Sequence, residues 1–579
     1  MKKRQVSRRV VIIGAVAVGP KVACRVKRLD PNAHVLMIDQ DEFISYGGCG
    51  IPFFVSGDVS DVKELMSTSF HMLRDPKFFR NVKGVEVRTR TRATEILRET
   101  KEVVVEDLNT GKVEKIPYDY LVLATGATPR RLPIPGSDHP DVFTVSNLHD
   151  AVAIREKLSR GEVGTAVVIG GGPIGCEMAE ALADMWGVEV SVVEILPTLL
   201  PAFLEPPLAR IVQKHMEEKG VSVYTGETVE EIREENGTFR VKTGRRTLSA
   251  DIVIQAVGVN PRGELAVKAG LMTTPKGAIA VNERLQTSDP FIYAGGDCIE
   301  VPHLVTGRYV HIPMGSLANR QGRVIGTNIA GGYATFEGVV GSFCLKVFDL
   351  GLATTGITYE QALKEGFDPV RAYVVQSDRA HFYPTQGLMY MALIADRKTR
   401  RILGAQGIGK NGDAVVGRIN SIAALLQLGG TLNHLSNLEI AYAPPFASAM
   451  DIVNAAANTA ENIIEGLNDT IDPDEFIEVF LGEDSGDRVR VLDVRSPVNA
   501  RPFVERFGER WINIPQEELL DRLAEVPEVE NLMVFCNSGL RSYEALRQIS
   551  HHLGRKARNV QGGAALIKMA GLLPENGDD

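Results

Sequence analysis

Two cysteines lie in settings where a thiol could do chemistry. Cys49 belongs to residues 45–52, which read SYGGCGIP, and Cys536 opens residues 536–541, which read CNSGLR. A cysteine in a glycine-rich, proline-terminated turn is poorly placed to fill a core, although a buried structural cysteine stays the alternative for Cys49. A single thiol has two natural oxidised forms, a mixed disulfide and a sulfenic acid. We therefore predict two activated thiols that pass sulfur chemistry between them.

The first glycine-rich loop precedes Cys49 and follows an apolar stretch that predicts a buried strand. Residues 14–19 read GAVAVG, a helical pattern follows, and a second predicted strand ends in Asp39. Gly14 and Gly19 let backbone N–H groups approach a pyrophosphate at the helix N-terminus, and Asp39 can accept hydrogen bonds from a ribose. Val16 stands at the place of the middle glycine, so a plain strand-to-helix turn stays the alternative.

A second loop of the same kind is complete. Residues 170–175 read GGGPIG, with Gly170, Gly172 and Gly175 in the three positions of the dinucleotide fingerprint, and Glu194 ends the next predicted strand. A carboxylate bonds a free ribose 2′-hydroxyl and repels a 2′-phosphate, and no arginine follows Glu194 in the sequence ILPT. This loop predicts a preference for NADH over NADPH.

Two further apolar segments each end in a small polar motif. Residues 120–127 predict a strand that ends in Ala-Thr-Gly, and residues 287–297 predict another that ends in Gly-Asp. Either segment alone could be a strand and a turn. In this order around the second glycine loop, they resemble the FAD- and NAD-binding flavin-disulfide reductase family, and the resemblance covers residues 8 to about 460.

The resemblance implies FAD on the first loop and NADH on the second. Asp297 would hold the ribityl chain of FAD, and Thr125 and Gly126 would pass near that cofactor. The FAD-binding domain would be split in sequence by the NAD-binding domain. The implied domains are 1–155 and 281–334 for FAD, 156–280 for NAD, 335–465 for dimerisation and 466–579 for a C-terminal module.

The cysteine loop indicates one branch of that family. Glutathione and lipoamide reductases use two nearby cysteines, whereas Cys49 has no cysteine partner in its loop and follows Ser45 in a Ser-x-x-x-Cys-x-x-Pro pattern. This pattern resembles the coenzyme A disulfide reductases, NADH oxidases and NADH peroxidases. Ala17 replaces the histidine that the peroxidases carry in the first loop, which weighs against peroxide chemistry. Two departures are Gly48, where the branch commonly has asparagine, and Met450, where it has lysine, so the thiol carrier could be another molecule.

Likeness to the coenzyme A disulfide reductases implies a set of substrate-binding residues. Arg25, Arg28 and Lys77 fall where that branch places basic residues that hold the phosphates of coenzyme A, and Ser45 lies in the cysteine loop. For the basic residues, a solvated helix face is the alternative.

The third domain resembles the dimerisation domain of the same branch. Residues 380–384 read AHFYP and residues 439–446 read EIAYAPPF. In that branch two tyrosines of the partner subunit cover the cysteine, and Tyr383 and Tyr442 match them. The resemblance therefore implies a homodimer with shared sites, while without it both tyrosines would be interpreted as ordinary core residues.

An acidic stretch at 465–474 and a turn at 482–487 predict the boundary of a C-terminal domain. Its motifs Asp-Val-Arg, Asn-Ile-Pro, Cys-x-x-Gly-x-Arg and Val-x-Gly-Gly resemble a rhodanese domain, with a helix from Ser542. Backbone N–H groups of a loop at a helix N-terminus form an anion nest, which together with Arg541 would stabilise a thiolate or a persulfide on Cys536. An inactive rhodanese-like binding module is the alternative.

Composition excludes several classes of protein. The chain has 579 residues, 44% of them hydrophobic, and a net charge of −9, which argues against general nucleic-acid binding. We find no long apolar run that would predict a membrane span, and the basic start at 1–4 runs into the first strand, unlike a signal peptide. The six cysteines show no paired spacing, which favours a reducing cytoplasm over disulfides or a metal site. We interpret four of them as structural: Cys24, Cys176, Cys298 and Cys344.

The predicted fold class is α/β, with two dinucleotide-binding Rossmann-like domains, an α+β dimerisation domain and a C-terminal α/β rhodanese domain. The predicted function is FAD-dependent reduction, by NADH, of coenzyme A persulfide, coenzyme A disulfide or polysulfide through Cys49. Cys536 would relay sulfane sulfur, and the products would be coenzyme A and sulfide. The alternatives are an NADH oxidase that acts through a Cys49 sulfenic acid, and a redox sensor or sulfur-carrier platform.

Overall fold

The computed structural model of the protein describes residues 7–482 and 488–573. The basic start at 1–4 and, apart from Gly482, the turn predicted at 482–487 lie outside these ranges. The chain forms two compact units. The first comprises the described residues up to Val193 together with Glu227–Val339, and the second comprises Glu194–Gly226 together with the described residues from Val340 onwards.

In chain order, the strands are β1 (Arg9–Ile13), β2 (His34–Ile38), β3 (Glu86–Arg88), β4 (Thr91–Leu97), β5 (Glu102–Asp107), β6 (Val113–Pro117), β7 (Tyr120–Leu123), β8 (Ala127–Pro129), β9 (Val142–Phe143), β10 (Thr165–Ile169), β11 (Glu189–Glu194), β12 (Ser222–Thr225), β13 (Val229–Glu235), β14 (Thr238–Thr243), β15 (Thr247–Ala250), β16 (Ile252–Gln255), β17 (Val259–Pro261), β18 (Ile292–Ala294), β19 (Val301–Pro302), β20 (Tyr309–Val310), β21 (Phe343–Val347), β22 (Leu350–Gly356), β23 (Pro369–Ser377), β24 (Leu388–Asp396), β25 (Ile402–Gly409), β26 (Thr470–Ile471), β27 (Val489–Asp493), β28 (Trp511–Asn513), β29 (Asn531–Phe535) and β30 (Arg558–Val560).

The helices are α1 (Val18–Leu29), α2 (Ile51–Ser56), α3 (Val62–Leu65), α4 (Pro76–Phe78), α5 (Leu148–Ser159), α6 (Pro173–Ala183), α7 (Pro206–Glu218), α8 (Glu264–Lys268), α9 (Gly315–Ile329), α10 (Tyr359–Lys364), α11 (Gly412–Gln427), α12 (Leu432–Ser436), α13 (Ile452–Ile464), α14 (Pro473–Leu481), α15 (Pro497–Phe507), α16 (Leu540–Leu553) and α17 (Gly563–Met569). Among the described helices, none is long and apolar enough to span a membrane.

A five-stranded parallel sheet of order β18-β7-β1-β2-β3 organises the first unit. Its strands are runs of β-branched and aliphatic residues, such as Val10–Ile13 in β1, and they are buried as a parallel sheet requires. Because the strands are parallel, their carboxyl ends meet at one edge. That edge carries Gly14, Asp39, Thr125 and the segment that leads to Asp297. The sequence-predicted cofactor residues of the first loop therefore share one end of one sheet.

Helices α1 and α9 pack closely beside this sheet. Val18, Val22 and Val26 recur at helical spacing and form the buried face of α1. A Cβ atom on Gly322 or Gly326 of α9 would lie 2.8 Å or 2.7 Å from side-chain atoms of α1, so glycine is required for this approach. The packing places the start of each helix at the same edge of the sheet.

The first unit contains a second parallel sheet, of order β11-β10-β16-β9 within the unit. Two antiparallel sheets, β4-β5-β6 and β13-β14-β15, accompany the parallel ones. Two parallel sheets, each with a glycine-rich loop at the end of its central strand, confirm the predicted α/β class with Rossmann-type redox domains.

One predicted strand of this unit is shorter than expected. Of residues 287–297, Ile292–Ala294 form a strand. Asp289 interrupts the extended pattern because its N–H bonds the Thr287 hydroxyl at 3.1 Å and its carboxylate accepts the Phe291 N–H at 3.0 Å. These local bonds close a turn before the strand can begin.

The second unit combines an antiparallel and a parallel sheet. The antiparallel sheet has the order β21-β22-β25-β24-β23 and packs against α11 and α13. The C-terminal sheet has the order β26-β30-β29-β27-β28, and all its strands are parallel. Hydrophobic clusters cover both faces of the C-terminal sheet, and one of them contains Trp511, whose ring N–H donates to Asp493 at 2.9 Å. An α/β architecture therefore holds for the C-terminal domain as well.

Two details differ from the sequence expectations. Residues 194–226, which the predicted 156–280 domain includes, belong to the second unit, where α7 contacts α14 and α17. Cys344, predicted to be structural, is exposed on β21. Successive side chains of a strand point to opposite faces, and that of Cys344 points to solvent. Composition alone does not show which face a cysteine occupies.

Candidate active site

Cys49 sits in a single 3-10 turn, Gly48–Gly50, directly before α2. The turn is fastened on two sides. The Ser45 N–H donates to the Ala15 carbonyl of the first glycine loop at 2.8 Å, and the Gly47 N–H donates to the Leu65 carbonyl at 2.9 Å. A Cβ atom on Gly50 would lie 2.4 Å from a methyl carbon of Leu65. The sequence therefore holds an exposed thiol against the first dinucleotide loop.

The helix that follows Cys49 is supported from the second parallel sheet. Helix α2 packs on α5 and on α6. The Trp186 ring N–H donates to the Val55 carbonyl of α2 at 2.8 Å, and the Arg155 guanidinium donates to the Phe54 carbonyl at 2.6 Å. These bonds satisfy carbonyl groups at the end of a short helix and fix its orientation.

The charges around Cys49 oppose ionisation of its thiol. Burial raises the pKa of the Cys49 thiol, and the carboxylates of Glu177 and Asp297 raise it further. The Gly315 N–H at the start of α9 acts in the opposite direction. Activation of the Cys49 thiol therefore stays a prediction, because the protein's own carboxylates, which come from distant parts of the sequence, act against ionisation of this thiol.

Glu177 is a functional candidate that sequence reasoning missed. It lies on α6, whose N-terminus is formed by the second glycine loop. Burial, together with the charge of Glu180, raises the pKa of Glu177 to about 7. A carboxyl group with this pKa can hold or release a proton near neutral pH. The signal in the sequence was its place two residues after Gly175.

The first dinucleotide loop has the geometry that the sequence predicted. Gly14 has a φ of 105°, and a Cβ atom there would lie 2.1 Å from the Ala124 carbonyl oxygen. A Cβ atom on Gly19 would lie 1.9 Å from the Gly14 carbonyl oxygen. The Asp39 carboxylate accepts the Ala15 N–H at 2.7 Å. Burial raises the pKa of Asp39 despite its hydrogen bonds. The loop and the acid thus lie together and fit a dinucleotide.

The other residues assigned to this cofactor lie at the same edge. The Thr125 hydroxyl donates to the Arg262 carbonyl at 2.7 Å, and Gly126 has a φ of 71° with open space at its Cβ position. Asp297 is half-buried, and burial raises the pKa of its carboxyl group, while the charge of His311 lowers it. A carboxyl group with this desolvation has a physical reason to hydrogen-bond the hydroxyl groups of a ligand.

The second loop repeats the arrangement. Gly170 has a φ of 109°, and Cβ atoms on Gly170 and Gly175 would lie 2.5 Å and 1.9 Å from carbonyl oxygens. Gly172 precedes α6 and has open space at its Cβ position. Glu194 is buried at the end of β11 and accepts the Leu196 N–H at 2.8 Å. The three glycines fit the close approach of a second dinucleotide, and the role of Glu194 stays a prediction.

The basic residues proposed for coenzyme A lie on the first unit's surface. Arg25 is half-buried and its Nε donates to the Thr327 hydroxyl of α9 at 3.0 Å. Arg28 and Lys77 are exposed. Ser45 is buried, with a φ of 50°, and belongs to the cysteine loop. The structure therefore gives Arg25 a partner within the fold and leaves the coenzyme A assignment of all four residues a prediction.

In the second unit, the segments of Tyr383 and Tyr442 lie together. The Ala380 N–H donates to the Pro444 carbonyl at 3.2 Å, and Arg418 bonds the carbonyls of Asp378 and Phe446 at 2.9 Å and 3.0 Å. Tyr383 is half-buried and Tyr442 is exposed. Large hydrophobic residues around them are exposed: Phe382, Phe446 and Met450. Neither tyrosine is the core residue that the alternative reading required.

Cys536 directly follows strand β29 and begins the turn that leads into α16. The Gly539 N–H donates to its Sγ at 3.1 Å, and the Ser542 hydroxyl donates to the same sulfur at 3.2 Å. Gly539 has a φ of 97°, a conformation that suits glycine at the start of the helix. Cys536 itself is fully buried. The predicted nest of N–H groups is therefore present in part, and helix α16 begins at Leu540, before the predicted Ser542.

The side chains of Ser542 and Asn559, and not that of Arg541, form the hydrogen bonds next to the Cys536 sulfur. Ser542 Oγ lies 2.6 Å from Asn559 Oδ1, and Asn559 Nδ2 donates to the Gly539 carbonyl at 3.0 Å. Within residues 488–573, no hydrogen bond joins Arg541 to Cys536. The amide oxygen of Asn559 can only accept, and Ser542 has one hydroxyl proton. Ser542 can therefore donate to Asn559 while it accepts from a Cys536 thiol, or turn its proton to the sulfur of a thiolate. Sequence reasoning missed it because Asn559 comes from a different strand.

The comparisons with known proteins cover both units. The family "pyridine nucleotide-disulphide oxidoreductase" matches residues 8–313, and its dimerisation domain matches residues 343–453. The NAD(P)H sulfur oxidoreductase (CoA-dependent) of Pyrococcus abyssi is 35% identical over 451 residues, which is 78% of this chain and 98% of that protein. Proteins named NADH oxidase also match.

Two solved structures match nearly the whole chain. An NAD-dependent persulfide reductase from A. fulgidus is 39% identical, with a TM-score of 0.90, and covers 96% of this chain and 99% of its own. The reduced CoADR-RHD of Bacillus anthracis is 32% identical, with a TM-score of 0.89, and covers 98% of this chain and 99% of its own. Both matches extend past residue 453, where the family matches end.

Proposed function

The chain belongs to the pyridine nucleotide-disulphide oxidoreductase family, and from that premise we propose that it is an NADH-dependent reductase of coenzyme A persulfide, coenzyme A disulfide or polysulfide. It is an oxidoreductase, and its cofactors are FAD, NADH and coenzyme A. The preference for NADH over NADPH stays a prediction that rests on Glu194.

The observation that carries this proposal is the setting of Cys49. An exposed thiol stands in a turn bonded to the first dinucleotide loop, with no second cysteine in its own segment. A single thiol of this kind can form a mixed disulfide with a small thiol, whereas the two-cysteine reductases store an internal disulfide. Coenzyme A is the small thiol that the sulfur-reducing relatives' names point to.

In the proposed reaction, the Cys49 thiolate attacks the coenzyme A sulfur of a coenzyme A persulfide. The sulfur–sulfur bond of the persulfide breaks, hydrosulfide leaves, and Cys49 is left in a mixed disulfide with coenzyme A. Bound FAD would supply the electron pair, drawn from NADH, that the mixed disulfide needs in order to return to the Cys49 and coenzyme A thiolates. The Gly315 N–H favours the thiolate, and Glu177 holds a proton near neutral pH.

For the C-terminal domain, we propose rhodanese-type sulfur transfer through Cys536. The support is the pair of hydrogen bonds that Gly539 and Ser542 direct at its sulfur, together with the full-length likeness to the CoADR-RHD structure. Donors aimed at a sulfur stabilise the negative charge of a thiolate or persulfide. A binding module without sulfur transfer is the alternative for this domain.

A second candidate function is NADH oxidation by oxygen through a Cys49 sulfenic acid. The observation that favours it is that NADH oxidases are among the matching relatives. Ala17, in place of a histidine in the first loop, argues against peroxide handling. A redox sensor or sulfur-carrier platform is the non-enzymatic alternative, which slow turnover with every acceptor would favour.

We propose a homodimer in the cytoplasm. The match to a dimerisation domain and the exposed aromatic residues around Tyr442 support the dimer, in which Tyr383 and Tyr442 would serve the partner subunit's site. The six cysteines are all free, as a reducing compartment favours.

The test is anaerobic turnover of the FAD-loaded protein with NADH and coenzyme A persulfide. We expect one sulfide released for each NADH oxidised, and an adduct of coenzyme A on Cys49 by mass spectrometry when NADH is withheld. NADH consumption that occurs with oxygen but not with persulfide would replace the reductase by the oxidase.

A further inference from the structure

Gln561 ties the Cys536 region to the antiparallel sheet of the second unit. Its side chain is buried and makes three hydrogen bonds. Its Oε1 accepts the Tyr373 N–H of β23 at 2.9 Å, and its Nε2 donates to the Arg371 carbonyl of β23 at 3.2 Å. The same Nε2 donates to Asp472 Oδ1, at the start of α14, at 2.8 Å. One amide side chain thus joins β23 to the C-terminal domain.

The residues after Gln561 hold the Cys536 turn directly. Gly562 and Gly563 have φ values of 71° and 52°, and a Cβ atom on Gly563 would lie 2.3 Å from the Cys536 carbonyl oxygen. The Ala564 N–H donates to that carbonyl at 2.9 Å, and the Ala565 N–H donates to the Asn537 carbonyl at 2.9 Å. The start of α17 therefore holds the backbone of the Cys536 turn by hydrogen bonds, and the hydrogen bonds of Gln561 in turn hold the start of α17.

The attachment point on β23 is itself fixed. The Arg371 guanidinium pairs with Glu205 and with Asp472, and it lies over the rings of Tyr359 and Tyr373, 4.6 Å and 5.3 Å from their centroids. Glu205 in turn accepts the Tyr359 N–H at 2.8 Å. A half-buried arginine between two carboxylates has little freedom to move, since breaking either pair leaves an unpaired charge.

We propose that Gln561 is a positioning residue for Cys536, so that the sulfur-handling turn reaches its hydrogen-bonded form only when the C-terminal domain is seated on β23. The route is short: β23 backbone, Gln561 side chain, the Gly562–Gly563 turn, and the carbonyls of Cys536 and Asn537. The inference deepens the proposed sulfur transfer and rests on it for its activity readout. It makes the C-terminal domain a dependent part of the enzyme and not an autonomous module.

The first test is Gln561→Ala in the full-length, FAD-loaded protein. In the assay, the Cys536 thiolate takes the sulfane sulfur of thiosulfate and releases sulfite; cyanide then removes that sulfur as thiocyanate and regenerates the thiolate. We expect thiocyanate formation to fall at least about tenfold, because Gln561→Ala removes three buried hydrogen bonds and the loss of one can have an effect of about that size. NADH-dependent reduction of coenzyme A persulfide should stay unchanged. The matched control is Gln516→Ala, which removes a half-buried glutamine that donates to Glu544 at 2.6 Å in the same domain.

The second test exchanges donor and acceptor. Gln561→Glu alone sets a carboxylate against Asp472 and should lose more sulfur transfer than Gln561→Ala. Adding Asp472→Asn returns a donor to that contact, although it also removes a charged partner of Arg371. It should therefore restore part of the activity that Gln561→Glu loses, which a general loss of packing would not allow.

Amide hydrogen exchange gives a readout that does not depend on sulfur transfer. In Gln561→Ala we expect faster exchange in the peptide that contains 536–542, unchanged exchange in β29, and recovery in the Gln561→Glu/Asp472→Asn protein. If the exchange pattern is observed but the wild-type protein transfers no sulfur, the proposed sulfur transfer is refuted while the positioning role is supported. Wild-type exchange in Gln561→Ala, or equal loosening of the whole domain without recovery, would overturn the inference.

Discussion

Cys49 and Cys536 differ in what surrounds the sulfur. Cys49 is exposed as a residue, but the protein around its sulfur partly desolvates the thiol, and this desolvation together with the charges of Glu177 and Asp297 raises the pKa of the thiol. Cys536 is fully buried, and an N–H group and a hydroxyl group donate to its sulfur. At Cys49, a thiolate would depend on bound cofactors and substrate for its stabilisation. At Cys536, the protein itself supplies hydrogen-bond donors to the sulfur. This difference is what the proposed division of steps requires: reduction of a disulfide at Cys49 and storage of anionic sulfur at Cys536.

The largest expected effect is that of removing the Cys49 thiol while Cys536 is kept. Cys49→Ser should lower NADH-dependent reduction of coenzyme A persulfide at least about a thousandfold, the scale of losing a covalent nucleophile. FAD should stay bound and reducible by NADH, as its absorbance would report. Cys344→Ser, which removes another exposed thiol, should behave as wild type. Full persulfide turnover in Cys49→Ser would mean that the reductase needs no thiol.

The next effect should be confined to one class of substrate. Cys536→Ser should lower NADH oxidation with polysulfide about a hundredfold, because a serine hydroxyl cannot carry sulfane sulfur as a persulfide. Reduction of coenzyme A persulfide should be kept, since that substrate reaches Cys49 directly. Comparison of kcat/KM for the two substrates checks this. Equal retention of both activities would leave the C-terminal domain another role.

A smaller effect distinguishes two residues of the Cys536 turn. Ser542→Ala should slow sulfur transfer about tenfold, because it removes a hydrogen bond to a charged sulfur. Arg541→Ala should cost less, since Arg541 makes no hydrogen bond to that sulfur within residues 488–573. The two variants form a matched pair, measured by thiocyanate formation. A larger loss in Arg541→Ala would show that the arginine acts on the persulfide after the sulfur has been loaded.

The smallest effect concerns pH. Glu177 ionises at about pH 7, and its carboxylate raises the pKa of the Cys49 thiol. Glu177→Gln removes that charge, so alkylation of Cys49 should reach its plateau at lower pH, with a few-fold faster reaction near pH 8. Mass spectrometry of iodoacetamide-treated protein measures this. Glu180→Gln is the control, because its charge acts on Glu177 and should change Cys49 less. An unchanged profile in Glu177→Gln would remove Glu177 from the site.

Features set by neighbouring residues could be predicted from the sequence. The two glycine loops, Asp39 and Glu194 follow from strand, turn and helix patterns within a few dozen residues. Gly14 approaches the Ala124 carbonyl because these residues follow two neighbouring parallel strands, so the predicted fold already implied this contact. Thr125 and Asp297 reached the same edge because their strands join the same sheet.

Features that depend on contacts between distant segments could not be predicted. The carboxylates that act on Cys49 come from α6 and from the segment after β18, and no local pattern shows their approach. Asn559 reaches the Cys536 turn from β30, and Gln561 reaches β23. Ser542 lies in the same turn as Cys536 and donates to its sulfur, and the role of Arg541, which the motif favoured, stays a prediction. Cys344 was misplaced because a strand residue can face either way.

The chain has two tryptophans, one bonded to the helix after Cys49 and one in the domain of Cys536. Trp186 bonds the helix that follows Cys49, and Trp511 lies in the core of the domain that contains Cys536. Each indole is thus an intrinsic fluorophore for one half of the enzyme. Trp511→Phe would leave emission that follows only the Cys49 region, and Trp186→Phe would leave emission that follows only the C-terminal domain. Stopped-flow fluorescence on these two proteins could time sulfur loading and NADH-driven reduction separately, without any attached dye.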